Sequence, residues 1–170
     1  MNLELFSGPG RPLGVCIVLM LAAALAGTVI GIVLPWRAYR NLREESVDAD
    51  AFDPSRRLKN FVLMFQAAAA TGFLYSIVAA FFLLMWCGAF TLETAAPASL
   101  LANPKVFLIL GVLGAAAFLG GVLKGVAAGR QVPVLAKTPE KFGLCFFIAL
   151  LPEALEIAGL LFFMATTLSL

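Results

Sequence analysis

The sequence predicts an all-α membrane protein: four transmembrane helices arranged as two tandem helical hairpins. Three observations lead there: an apolar excess, four apolar runs of spanning length, and a likeness between the two halves of the chain. Of 170 residues, 62% are hydrophobic and 13% charged, with a mean hydropathy of +0.99. A water-soluble domain of this size cannot hide that much apolar surface, so the surrounding solvent is lipid.

The four runs are Leu13 to Pro35, Phe61 to Phe90, Val106 to Ala128 and Phe142 to Leu168, the third interrupted only by Lys124 near its end. With a helical rise of about 1.5 Å, roughly 20 residues cross a hydrocarbon core of about 30 Å, so each run spans once. The chain then divides into an outer tail (1–12), a first hairpin (13–90), an outer connection (91–105) and a second hairpin (106–170). A cleaved signal peptide built on Arg11 and "AAALAG" is the competing account of the N-terminus. The apolar run continues through "TVIGIVLP" to Pro35, however, which makes a full span.

Charge gives the orientation. Arg37, Arg40, Arg43, Arg56, Arg57 and Lys59 lie between runs one and two, and Lys124, Arg130, Lys137 and Lys141 at or between runs three and four, ten of the twelve basic residues. Both basic ends are expected in the cytoplasm and both termini outside. Acids in the first connection (Glu44, Glu45, Asp48, Asp50, Asp53) do not reverse this, because only Lys and Arg count. A net charge of +2 says little about partners, and no nucleic acid is expected among them.

Soluble enzyme chemistry finds no footing. There is no histidine and no glycine loop followed by Lys-Ser/Thr. Cys16, Cys87 and Cys145 fall in apolar runs without paired spacing and read as small filler. No cofactor is expected.

The halves repeat. "AAALAGTVIGIV" (22–33) parallels "AAAFLGGVLKGV" (115–126): each has glycines four apart, Gly27 and Gly31 in the first and Gly121 and Gly125 in the second, and these glycine pairs are offset by 94 residues. Glycines four apart make a smooth stripe on which helix backbones approach closely in lipid. One tight helix pair within the monomer would account for them; stripes on both odd-numbered helices favour a wider pattern, with many copies crowding a small inner circle. "FQAAAATGFLY" (65–75) likewise lies over "PEALEIAGLLF" (152–162), matching Gln66 to Glu153 at an offset of 87.

Two acids stand in the fourth run, Glu153 and Glu156. Glu153 lies eleven residues past Phe142, roughly 16 Å into the bilayer at helical rise. Acids at that depth mark ion or proton pathways; the blander reading is a polar crosslink between helices. Pro152 cannot donate to Ile148 and should bend the helix, leaving a carbonyl near Glu153. Glu156 is one turn on and near the same face. It either shares a proton with Glu153 or hydrogen-bonds a neighbouring helix.

The duplicated hairpins, the glycine-striped odd helices, "LAKTPEKFG" and "PEALEIAGLLF" together resemble the proteolipid subunit (c, or K) of V-type and A/V-type rotary ATPases. The likeness implies a homo-oligomeric proteolipid ring in the cell membrane, embedded in lipid and partnered by stator and central-stalk subunits, with ATP bound elsewhere, on other subunits. It matches Glu153 to the ion-carrying glutamate and Gln66 to the first-hairpin position that has lost its carboxylate. In sodium-binding relatives polar residues follow that position, whereas Ala67 and Ala68 follow it here. The third run offers no Gln, Asn, Ser or Thr. The expected ion is therefore H⁺ rather than Na⁺, with Glu153, Gln66 and Glu156 as the ion-binding set and no metal site unless Glu153 takes Na⁺. A small proton-coupled transporter and a structural four-helix scaffold are the rival readings.

Overall fold

The computed structural model describes residues 11–45, 56–86 and 103–167, and these are helical almost throughout. The outer tail as far as residue 10, Asp48, Asp50 and Asp53 of the first connection, the outer connection over 91–102, and Cys87 lie outside the described residues. Helix α1 is Arg11–Glu45; α2 is Arg56–Ala69 and α3 Thr71–Trp86; α4 is Pro104–Lys137; α5 is Phe142–Leu150 and α6 Glu153–Thr167. With α2 and α3 taken together, and α5 and α6 likewise, four helical runs are long and apolar enough to cross a membrane. The chain is, by composition, a multi-pass membrane protein.

The odd spans run further than their apolar stretches. Helix α1 passes through Pro35 to Glu45, and α4 passes through Pro133 to Lys137. Arg37, Arg40, Arg43, Arg130 and Lys137 therefore sit on helical extensions rather than in loops. Asn103 starts α4, its side chain accepting from the Lys105 N–H at 3.0 Å with Pro104 in the first turn. The helix stops at Thr138, which the following Pro139 biases away from helical geometry. The Thr138 N–H closes on the Val134 carbonyl at 2.8 Å, and a single 3₁₀ turn, Pro139–Lys141, leads into α5.

The even spans are broken. Pro152 interrupts the fourth, where bonds from Ala154 to Leu151 and from Leu155 to Pro152 tighten the turn. The second breaks at Ala70, inside "AAAATG", without a proline.

The most extensive contact joins the first and third spans. A Cβ on Gly121 would stand 2.6 Å from the Gly27 carbonyl carbon, and one on Gly125 would stand 2.6 Å from Gly31 Cα. Only hydrogen fits at these positions, so the two backbones touch. All four glycines of the stripes are thus used against one another inside one chain. That is the tight monomer pair named above, and it accounts for the stripes without an inner circle of copies.

Side chains pack into two apolar clusters, one towards each end of the bundle. Leu13, Ile17, Leu83, Ile109, Leu113 and Phe163 anchor the first. Tyr39, Val62, Phe65, Val132, Leu135 and Cys145 anchor the second, where Phe61 stacks on Phe142 with ring centres 4.1 Å apart. Leu108, Phe147 and Leu161, each at least 60% exposed, are examples of the apolar outer surface.

Candidate functional site

Between the two apolar clusters lies one polar layer, gathered where the even spans break. A broken helix at membrane depth leaves carbonyls that need partners, because no water is there to supply them. Here side chains supply them. The Thr28 hydroxyl donates to the Ala69 carbonyl at 3.3 Å, and the Thr71 hydroxyl lies 2.9 Å from the Ala68 carbonyl. Lys124 reaches the same Ala68 carbonyl at 2.9 Å. These bonds come from three different helices, which is why the break at Ala70 has no signature in its own sequence.

Lys124 and Glu156 form the centre. Nζ stands 2.7 Å from Glu156 Oε2, with side-chain exposures of 2% and 1%. Its third acceptor is the Thr71 hydroxyl oxygen at 2.6 Å. An ammonium has three protons to give, so Lys124 is saturated. Thr71, accepting from Lys124, has one proton to share between the Ala68 carbonyl and Glu156 Oε2 at 3.3 Å. Glycines make the room: a Cβ on Gly72 would stand 2.7 Å from the Glu156 carboxyl, and one on Gly120 would collide with its Cγ and Oε1. Glu156 Oε1 is left buried without a hydrogen-bond partner.

Glu153 takes a different environment. It is half-buried at the start of α6, and the Tyr75 hydroxyl donates to its Oε1 at 2.8 Å. Residues three apart on an α-helix are offset by about 60° around the axis. That offset turns Glu156 into the bundle and leaves Glu153 at its margin. The two carboxyls thus hold separate partners. Gln66 is engaged elsewhere, its amide donating to the Ile32 carbonyl on α1 at 3.2 Å. Of the three polar residues expected at one ion site, the structure brings Glu153 and Glu156 to adjacent places and turns Gln66 towards the first span.

Sequence reasoning missed Lys124, Thr71 and Tyr75. Lys124 reads as the end of an apolar run and was counted with the cytoplasmic bases, but α4 continues thirteen residues beyond it. A lone lysine and a lone pair of acids in separate apolar runs was the available signal, since buried charges are paired. Thr71 and Tyr75 are four apart on α3 and so share a face towards α6. Among the described residues no group of three or more His, Cys, Asp or Glu is placed to hold a metal ion.

No family model matches the chain, and no curated protein matches it either.

Proposed function

We propose that the chain translocates protons across the membrane on Glu153, as a rotor-ring subunit of the membrane sector of a rotary ATPase. The observation that carries this reading is the setting of Glu153: a half-buried carboxyl just past the break at Pro152, held by one tyrosine hydroxyl and, among the described residues, by no base. A carboxyl so placed can be neutral against lipid and ionised beside water, which is what a carrier needs. Glu156 is already neutralised by Lys124, which leaves one carrier for four helices. Gln66 is turned to Ile32 on α1, its amide N–H donating there rather than to either acid, and a dehydrated Na⁺ needs several oxygens gathered at one place, so this supports H⁺.

In this reading the basic ends of α1 and α4 and the turn to α5 face the cytoplasm and the central stalk, with both termini outside. Removing Lys124 from the count of basic residues still leaves nine of twelve on that side. ATP is bound on other subunits, and a stator supplies the cation that discharges Glu153. Glu153→Gln should fold, stop proton flux in reconstituted liposomes, and lose labelling by a hydrophobic carbodiimide. Normal flux through the variant sinks the assignment.

A second reading, a self-contained proton-coupled transporter, is favoured by the α1–α4 seam, whose glycines are used within one chain. The mass of the detergent-purified particle separates the two: a large ring against a monomer or dimer.

A further inference from the structure

The Lys124 ammonium occupies a place with the chemistry of a metal-cation site. Oxygens of three kinds surround it: the Ala68 carbonyl at 2.9 Å, the Thr71 hydroxyl at 2.6 Å and the Glu156 carboxylate at 2.7 Å. A fourth oxygen, Glu156 Oε1, is buried with no hydrogen-bond partner. Dehydrated cations in membranes are held by such mixed oxygen sets, built where a spanning helix is interrupted and its carbonyls are turned from their own ladder. Both broken spans meet here. The other titratable groups beside it are Glu153 and Tyr75, which are bonded to each other. Lys124 is the only base among the buried polar residues described.

We infer that this is a monovalent-cation site closed by a tethered cation. Lys124 supplies the single positive charge that Na⁺ or K⁺ would otherwise bring, and so keeps Glu156 from carrying an ion. One carboxylate in a low-dielectric layer is neutralised by one charge, and a divalent ion would leave an excess that is costly to bury. Cutting Lys124 back to alanine vacates the ammonium and its four-carbon stem. That opens space for an ion together with the water that completes its shell, and releases Glu156 Oε2 from the ammonium while Oε1 stays without a partner. The inference goes beyond the proposed function and does not rest on it, because Glu153 takes no part.

The test uses the full chain in detergent, with two readouts: radiolabelled Na⁺ retained after rapid desalting, and the apparent unfolding midpoint. The midpoint is compared in sodium, potassium and N-methylglucamine chlorides at equal ionic strength. The wild type should retain no Na⁺ and unfold at the same temperature in all three salts. Lys124→Ala should retain stoichiometric Na⁺ or unfold at a higher temperature in Na⁺ or K⁺ than in N-methylglucamine. Adding Glu156→Gln should abolish both effects. If Lys124→Ala folds only in Na⁺ or K⁺, that dependence is the expected result in its strongest form. If it folds in no salt, Lys124→Gln, which keeps bulk and ends in an amide oxygen, decides with the same expectation. A wild type that retains Na⁺, or folded lysine variants indifferent to both ions, overturns the inference. Transport by Glu153→Gln bears only on the function proposed above.

Discussion

At the scale of single residues, the energetic weight falls on a pair of charges that lipid cannot solvate. Removing one partner of a buried ion pair costs about 3–5 kcal/mol, because the other charge is stranded, while removing both can be close to neutral. Lys124→Met and Glu156→Gln should therefore each lower stability by roughly that amount, and the double variant by much less than the sum. Unfolding of the four proteins in mixed micelles of rising SDS fraction measures this, and strictly additive losses would mean the pair is not coupled. The exposed Arg40–Glu44 pair, 3.4 Å apart on α1, should in contrast contribute only about 0.3–0.5 kcal/mol. Glu153 and Glu156 were visible in the sequence as acids out of place. Which of them faces inward was not, because an offset of a few tens of degrees depends on how α6 is seated against α3 and α4. Nothing within "EALE" fixes that seating.

At the scale of elements, glycine does two different jobs, and alanine substitution tells them apart. Gly121 and Gly125 meet backbone atoms of α1, which cannot swing aside. An added methyl at either should cost about 1–3 kcal/mol by forcing the helices apart. Gly111, on the same helix, has nothing within 4 Å of its would-be Cβ. Gly111→Ala should be neutral or gain up to about 1 kcal/mol from helix propensity. Thermal unfolding of the three variants checks the order. Because the clash arises within one chain, loss of assembly in Gly121→Leu or Gly125→Leu would report on the fold of the protomer first. The Pro152 break was legible from proline chemistry alone, and the four spans from hydropathy. The Ala70 break was not, since Thr28, Lys124 and Thr71 make it tolerable from three helices.

For the whole molecule, the proposed orientation gives a direct expectation. With the native cysteines replaced by alanine, a cysteine introduced at exposed Lys59 or Lys141 should react with a membrane-impermeant maleimide only from the cytoplasmic side. Reaction from the outer side of intact cells would invert the topology. The described structure also divides its helices unequally. Helices α1 and α4 run unbroken and touch backbone to backbone, while the second and fourth spans are each jointed, at Ala70 and at Leu151–Pro152. In mechanical terms this is a stiff mast with two jointed stays. The helical ladder is continuous in the mast and interrupted at the two joints, where bending should be easiest. Each joint adjoins a half-helix carrying one side of the Tyr75–Glu153 bond. Were the proposed rotor to load the extensions of α1 and α4, the joints are where an angle beside the carboxylates would change, and amides beside Ala70 and Leu151 should exchange with deuterium before those in the mast.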